Sequence, residues 1–578
     1  MNIASLTGKV WCLRCDDTVE TTTENIAKIL AKNRGINDLK AFTSVSIAAT
    51  MPDPMIFIDM EKAVCRIIKA IQDKQKIAIL GDYDVDGVAS VSILVKFLKH
   101  IGADYVYAIP NRVDDGYGLN KINIEKHREC LVIAVDCGSG SLEELAYAKQ
   151  NLIDVVILDH HSMSVVSADA IALVNPHRPD ESGKYRYLCA AGVVFLCVWA
   201  THQLLKEKGF YAGGKEPNLE DYMDLVALAT VCDVVDLVEL NRAFVIAGTR
   251  IIRQRKNIGI DALLSVSKNV AVTAEAISFS LGPKLNSAGR MSSADLSVQL
   301  LTTENPLEAK KIALHLDDLN KERQMLERMM MEEAVPFIKE GQNFILAYKE
   351  NWHLGIIGII AGRLREKYNR PSIIVSRDPS GVGKASCRSV DGVNISELIR
   401  KGMECGVIIS GGGHAMAAGF SFDFDRIGEL ENFLFSAMQK YSPAPPTLYA
   451  DCVISLNQAS IEFLKSVSTL EPFGMGNYRP KFVIQNVRIT GPRIVGEDHI
   501  SLALTNNNSS SLRTISFRSH GTPLGKVIFN EDSLVNVLGT LTISLWNGRE
   551  SVNFQLEDIA HPWKNEDTVV SQLRSAAC

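Results

Sequence analysis

From residue 76 onward the chain alternates short apolar runs with stretches whose apolar residues recur at helical spacing. Residues 76–80 lead to Gly81 and then to a helical stretch over 89–100; residues 130–135 lead to Asp136 and then to 142–150; residues 154–158 lead to Asp159. This rhythm predicts a parallel sheet with crossover helices. In such a sheet the ligand crevice lies beyond the carboxyl ends of the strands, where all three acidic residues fall. The apolar run 225–232 has the length of a core strand or a core helix, and Asp233 follows it. Residues 1–75 predict a mostly helical lead-in, with amphipathic stretches at 23–33 and 60–72.

Residues 305–340 carry the longest helical pattern. Asn305-Pro306 reads as N-cap and first helical position, and Ile312, Leu316, Leu319, Met325 and Met329 recur along a charge-rich run. About half of that surface reads as solvated, so a helix connecting two lobes is expected; a plain core helix is the alternative. A second α/β unit follows over 343–441, with strands near 344–348 and 372–376, and Ser442-Pro443-Ala444-Pro445-Pro446 is the clearest linker. Residues 447–562 hold strand patterns at 482–489, 500–505, 513–518, 534–545 and 551–556, separated by turn residues. They predict a small five-stranded barrel of OB type, with a tail over 563–578. The expected fold class is α/β: two α/β lobes with parallel-type sheets joined by a long helix, plus a C-terminal OB-type β-barrel. The corresponding domains are 1–75, 76–304 (with a helical insert), 305–342, 343–441 and 447–562.

Composition sets limits on this picture. With 578 residues, 46% hydrophobic and 22% charged, the chain is of ordinary globular make-up. A net charge of −6 excludes whole-chain basic character and leaves only local basic faces. No apolar run reaches the roughly 18–20 residues of a membrane span. The N-terminus, with early acids and no apolar core segment, does not read as a secretory signal. Twelve scattered cysteines, with Cys65, Cys189, Cys197 and Cys232 in apolar company, point to a reducing cytoplasm.

The densest chemistry is Gly81-Asp82-Tyr83-Asp84-Val85-Asp86-Gly87. Carboxylates at alternate positions after an apolar strand repel one another and raise their own pKa values unless cations compensate. Hard divalent ions with oxygen ligands are the natural compensator. The pattern also looks like the opening of a calcium-binding EF-hand loop, but the position where that loop places its last acid falls on Ile93, and no helix precedes it. Asp136 precedes Cys137-Gly138-Ser139-Gly140, and Asp159-His160-His161 ends the third strand. Singly, Asp136 or Asp233 could cap a helix, and either histidine could be a hydrogen-bonded core residue. Together they form a candidate metal site, and imidazoles beside carboxylates suit Mn²⁺ or another transition metal better than Ca²⁺.

These motifs resemble the DHH phosphoesterase superfamily, and from about Asp53 to Pro562 the chain resembles that superfamily's bacterial single-stranded-DNA-specific exonucleases. The later motifs are Gly282-Pro283-Lys284-Leu285-Asn286-Ser287-Ala288-Gly289-Arg290; Trp352-His353-Leu354-Gly355-Ile356-Ile357-Gly358 with Gly362-Arg363-Leu364; Gly411-Gly412-Gly413-His414 with Ala417-Ala418-Gly419; and Pro472-Phe473-Gly474-Met475-Gly476-Asn477. The resemblance implies two divalent ions, Mn²⁺ or Mg²⁺. One would be held by Asp84 and Asp136 with Asp82 nearby, the other by Asp86, Asp136, His160 and Asp233, making Asp136 the bridge. His161 would face the scissile phosphate, and Asp159 would orient the histidines. The implied catalytic set is Asp84, Asp86, Asp136, His160, His161 and Asp233. The implied substrate contacts are His161, Lys284, Asn286, Arg290 and His353, with Ser386, Arg388, Gly412, Gly413 and His414 from the second lobe. The implied activity is 5′ to 3′ hydrolysis of single-stranded DNA to 5′-mononucleotides in recombination and repair, with a helicase and a single-strand-binding protein as partners. Two positions depart from the pattern: Asn351 replaces a usual glycine, and Asp236 stands where proline is common and would add negative charge near the site.

The residues of the second lobe and barrel agree with a nucleic-acid substrate on their own chemistry. Gly383-Lys384-Ala385-Ser386-Cys387-Arg388-Ser389 offers backbone N–H groups, hydroxyls and a guanidinium, the ingredients of an oxyanion pocket. From Asn351 to Lys401 there are nine Lys/Arg against four acids, and from Arg479 to Lys526 seven against two. Phe482, Phe517 and Trp546 are interleaved with the latter and could stack on bases or pack in the core. Two other functions stay open: a nanoRNase or cyclic-dinucleotide phosphodiesterase of the same superfamily, against which the barrel argues, and a catalytically dead single-strand-binding scaffold, against which the full set of carboxylates and histidines argues. Cys12 and Cys15 lack a second pair at zinc-finger spacing, and Met329-Met330-Met331 reads as helix packing.

Overall fold

The structure, a computed structural model, describes residues 2–15, 21–110, 118–214, 216–267, 271–441, 444–506, 510–546 and 549–563. The chain divides into two compact units: Ser46–Pro443 with Gly474–Gly476, and Met1–Val45, Ala444–Phe473 and Asn477–Cys578. Among the described residues no helix is long and apolar enough to cross a membrane.

The first sheet of the larger unit has five parallel strands in the order Tyr105–Ala108, Ile77–Gly81, Leu131–Val135, Val155–Leu158, Ala172–Val174. The three central strands are buried throughout, as continuous apolar runs require in a sheet covered on both faces. Alternate residues still sort to opposite sides. Ile77, Ile79, Leu131, Ile133 and Val156 join the core shared with helices Met60–Gln72, Val85–Ile101 and Ala190–Glu207. Ala78, Leu80, Val132, Ala134 and Ile157 join a smaller core with helices Lys121–Lys126 and Leu142–Gln150. The hydrophobic pattern does not mark the outer strands: Tyr105–Ala108 is only half-buried and Ala172–Val174 has three residues. From Ile77–Gly81 the chain crosses to one side and then returns to the other at Leu131–Val135, so the loops after these strands flank a switch point, the usual place for a ligand crevice. The run 225–232 is helix, Met223–Cys232.

The connecting helix is Pro306–Ala334, 29 residues long, with the Asn305 side chain accepting from the Leu307 and Glu308 N–H groups. Ile312, Leu316 and Leu319 belong to the core of the first lobe, while Met330 and Ala334 pack with Trp352, Ile356 and Ile360 of the second. Between these two anchors Met325 and Met329 are exposed. The second sheet runs in the order Ser410–Gly413, Ala417–Asp423, Val382–Arg388, Ser372–Arg377, Ile345–Lys349. Its parallel character is confined to the last pair, which the crossover helix Ile357–Tyr368 joins; the other three pairings are antiparallel.

In the smaller unit, strands Lys481–Val495, His499–Thr505, Ser511–Ser516, Arg549–Ala560 and Val535–Trp546 pair in that order, and the last pairs with the first to close a barrel. Helix Pro523–Asn530 lies between the third and fourth strands in sequence, the connectivity of an OB barrel. The mostly helical lead-in expected over 1–75 has helices at Ile26–Asn33 and Met60–Gln72, but its start departs from that expectation. It opens with strands Asn2–Ala4 and Val10–Leu13, and the latter pairs in parallel with Thr447–Ala450. Strands this short, paired with a partner so distant in sequence, leave no local periodicity to read. Helix Ile26–Asn33 buries Ile26 and Leu30 in the barrel core. Arg34 then pairs with Asp451 at 3.0 Å and donates to the Asn477 Oδ1 at 3.1 Å. Of the proline-rich linker, Ser442 and Pro443 lie outside the described residues, and the Pro446 carbonyl accepts from the Val10 N–H. The tail beyond Trp563 also lies outside them. The described cysteines are free thiols, and Cys65, unlike Cys189 and Cys197, is exposed.

Candidate metal centre

The acidic residues are fixed by the ends of the elements that carry them. Asp84 caps helix Val85–Ile101, its Oδ1 accepting from the Asp86 N–H at 2.9 Å and the Gly87 N–H at 3.2 Å. Asp86 points inward from the first turn, and its two oxygens accept from the N–H groups of Ala190 and Ala191 at 2.7 and 2.8 Å. These open helix Ala190–Glu207, where unsatisfied N–H groups and the helix dipole favour an anion. Asp136 follows its strand at φ +60, a conformation that non-glycine residues other than Asn and Asp seldom adopt. Asp233 closes helix Met223–Cys232, so it reaches the site from a helix end rather than from a strand.

These groups converge. His160 Nε2 lies 3.3 Å from Asp136 Oδ1 and 3.6 Å from both Asp86 Oδ2 and Asp233 Oδ2. Three sets of candidate ligand atoms each fall within 4.8 Å: Asp82, Asp84 and Asp136; Asp86, His160 and Asp233; Asp136, His160 and His161. Asp136 belongs to two of them. Asp159 stands behind, accepting from the N–H groups of Ser139, His160 and His161 and from His161 Nδ1 at 2.8 Å. Sequence reasoning missed Ser139 and Asn175: the Asn175 amide donates to Ser139 Oγ and to the His161 carbonyl, bracing this loop.

The electrostatics are those of an anion cluster that needs cations. Burial, then repulsion by Asp86 and Asp84, raises the Asp233 carboxyl to about 9. Burial, with the Asp86 carboxylate next, puts Asp136 well above the ordinary range, and burial likewise raises Asp86. Asp159 is held low: burial opposes ionisation, but hydrogen bonds from His161 and Ser139 outweigh it. On His161 burial disfavours the charged form, yet the Asp159 bond and the nearby carboxylates raise it to about 9. Asp136 Oδ1 is buried without a hydrogen-bond partner among the described residues. Buried carboxylates with an unfilled acceptor and an adjacent imidazole fit divalent Mn²⁺ or Mg²⁺.

The cluster faces a cleft of about 480 Å³. Asp82, Tyr83, Asp84 and His161 line it, together with Arg290, Arg388 and residues of helix Ile357–Tyr368. Gly289 explains how Arg290 gets there: a Cβ at that position would lie 2.6 Å from the Tyr83 carbonyl oxygen, so only glycine lets helix Gly282–Met291 approach the aspartate loop this closely. Arg290 then donates to the Gly355 carbonyl at 3.1 Å. Ser386 Oγ lies 3.5 Å from Arg388 Nη1.

Other expected substrate contacts lie elsewhere. Lys284 is buried, its ammonium bonded to the Ser280 carbonyl and 3.5 Å from Asp317. Asn286 is half-buried on the same helix, and His353 Nδ1 accepts from the Gly355 N–H at 3.1 Å. Gly412, Gly413 and His414 form an exposed hairpin at the edge of the second sheet. Asp236 is exposed and belongs to none of the three ligand sets. In the barrel, Phe482 is a core residue, Phe517 is exposed with its ring 5.2 Å from that of His499, and the Trp546 side chain lies outside the described residues.

The chain matches the DHH family, N-terminal domain, over residues 76–230, the DHHA1 domain over 341–440 and the RecJ OB domain over 450–558. It is 31% identical over 477 residues to the single-stranded-DNA-specific exonuclease RecJ of Haemophilus influenzae, a match that covers 79% of this chain and 83% of the relative. The chain belongs to the RecJ family. Another RecJ relative, from Bacillus subtilis, is 31% identical over 522 residues, 88% of this chain; the chain spans 64% of that relative's length. The crystal structure of RecJ in complex with Mn²⁺ from Thermus thermophilus superposes with a TM-score of 0.79 at 25% identity, covering 96% of this chain and 80% of that one.

Proposed function

We propose that this chain is a metal-dependent exonuclease that degrades single-stranded DNA from its 5′ end and releases 5′-mononucleotides. The observation that carries the reading is Asp136, shared between two ligand sets whose members Asp82, Asp84 and His161 line the same cleft as Arg290 and Arg388. Asp84 and Asp136, with Asp82 beside them, would hold one divalent ion; Asp86, Asp136, His160 and Asp233 would hold the other. When bound, such a pair supplies an activated water and charge stabilisation for the entering and leaving oxygens of an in-line displacement.

The remaining work falls to side chains of this chain. His161, kept protonated by Asp159 through Nδ1, presents its other nitrogen to the cleft and donates to a non-bridging oxygen of the scissile phosphate, where charge develops. Arg388, Ser386 and Arg290 grip the 5′-terminal phosphate, fixing the scissile bond one nucleotide inward and so setting both polarity and product. The barrel, with its basic residues and the exposed Phe517, offers a binding surface for single-stranded DNA. Recombination and repair in the cytoplasm, beside a helicase and a single-strand-binding protein, is the setting this chemistry serves.

The test uses a single-stranded oligonucleotide labelled at the 5′ end in one reaction and the 3′ end in another, with Mn²⁺, Mg²⁺ or a chelator. Immediate release of the 5′ label as mononucleotide, with gradual shortening of the 3′-labelled strand, is expected. Cleavage of dinucleotides alone, or binding without cleavage, refutes it.

A further inference from the structure

Helix Ile357–Tyr368 forms one wall of the cleft, yet none of its side chains takes part in holding the metals or in the grip of Arg388, Ser386 and Arg290. Gly358, Ile359, Gly362, Arg363 and Glu366 line the cleft, the spacing that places residues on one helix face. Gly362 is unexplained by packing: a Cβ there would meet nothing within 4 Å among the described residues, although glycine in mid-helix weakens the helix relative to alanine. The missing side chain leaves room for a ligand against the helix, next to Arg363.

The Arg363 guanidinium is aimed by a chain of charged groups. Its Nε donates to Glu327 Oε1 at 2.8 Å, and Arg323 Nη1 donates to the other Glu327 oxygen at 2.9 Å. Arg323 is itself fixed by the Asn320 Oδ1 at 3.1 and 3.2 Å. The Glu327 side chain is only 13% exposed, and it sits on the connecting helix, which spans both lobes. With Nε tied to Glu327, the terminal nitrogens of this cleft-lining residue have only a long ion pair, Nη1 to Glu366 at 3.9 Å, among the described residues. A guanidinium so held loses little freedom on binding a planar array of oxygens.

Resting on the exonuclease function proposed for this cleft, we propose that Arg363, positioned by Glu327, is a specificity-determining residue that recognises the 5′-terminal phosphate of the strand together with Arg388. Glu327 acts through Arg363 and is a positioning residue.

The full chain is tested by fluorescence anisotropy, with metal chelated, on a single-stranded oligothymidylate bearing either a 5′-phosphate or a 5′-hydroxyl. Arg363→Gln is expected to weaken binding of the phosphorylated strand by about 10- to 100-fold, the range for a charge-assisted hydrogen bond, and to change binding of the hydroxyl strand by less than about 3-fold. Glu327→Gln gives a smaller shift in the same direction, and Arg363→Lys restores part of the loss. With Mn²⁺ present, the ratio of kcat/KM for phosphorylated over hydroxyl strand falls in parallel. Equal weakening of both strands, or no change in either, overturns the proposal, as does a wild-type chain indifferent to the 5′-phosphate. A wild-type chain that prefers the 5′-phosphate but cleaves nothing refutes the exonuclease reading while supporting this one.

Discussion

Asp136→Asn should stabilise the metal-free protein while abolishing its response to metal. The ligand oxygens of Asp82, Asp84 and Asp136 lie within 4.8 Å of one another. At an effective dielectric of about 20, each like-charged pair at that distance is worth at least about 3.5 kcal/mol. Two such neighbours exceed the roughly 4 kcal/mol needed to keep a carboxyl of ordinary pKa protonated at pH 7, so protonation caps the penalty near that figure. Asparagine removes the charge, tolerates the left-handed backbone that Asp136 occupies, and sacrifices the attractions to His160 and His161. The metal-free variant should therefore be about 2–4 kcal/mol more stable than wild type at pH 7. With an unfolding entropy of about 2.1 cal/mol/K per residue over the roughly 400 residues of the larger unit, this is a rise in Tm of about 2–5 °C.

The sign follows from linkage. Carboxyls raised in the folded state, as Asp86, Asp136 and Asp233 are, hold more protons folded than unfolded. Stability is then greatest below about pH 4 for these groups and is lost as pH rises through their raised values, about 9 for Asp233; His161, also raised, acts in the same direction. Calorimetry in EDTA at pH 5, 7 and 8.5, and again in Mn²⁺, reads both effects. Metal-free Asp136→Asn melting at or below wild type at pH 7, or a metal-free wild type indifferent to pH, would show that the cluster carries no such repulsion.

Three other substitutions probe the surrounding structure. Asp159→Asn removes the negative charge that helps keep His161 protonated to about pH 9, so the alkaline limb of the kcat/KM profile should move to lower pH; an unmoved limb removes His161 from the donor role. Gly289→Ala forces helix Gly282–Met291 off the Tyr83 carbonyl and displaces Arg290, lowering kcat/KM by about 10- to 100-fold, with cleavage at wild-type rate the contrary result. Arg34→Met leaves the buried Asp451 carboxylate without its partner and should cost about 3–5 kcal/mol in urea unfolding of the full chain; a loss under about 1 kcal/mol would mean that the pair is dispensable.

The parts of the site that the amino-acid sequence discloses are those made by local rules. Strands buried on both faces must be apolar without interruption, so the acids after Ile77–Gly81, Leu131–Val135 and Val155–Leu158 stand out at the strand ends. Asp233 is equally visible as a residue, but whether it follows a strand or a helix is not, because a run of eight apolar residues satisfies either. Partners are less legible than residue types. Lys284 has the charge to hold a phosphate, and only the fold reveals that Asp317 and the Ser280 carbonyl engage it. Glu327 and Arg363 are separated by 36 positions, and no periodicity joins them. Phe482 and Phe517 look alike as basic-patch aromatics, yet one fills the barrel core from strand Lys481–Val495 and the other faces solvent from the turn after Ser511–Ser516.

The strand Val10–Leu13 has a bearing on synthesis. Trp11, buried in the smaller unit, donates its Nε1–H to Asp558, 547 residues downstream. At the ribosome's roughly 5–20 residues per second, its partner emerges roughly half a minute to two minutes later. The cleft-bearing unit is completed within that interval, while the first strands wait as an unpaired apolar edge. Translation therefore imposes an order in which the cleft-bearing lobes precede the barrel, and chain closure at the barrel is the last event, one that an interrupted transcript never reaches.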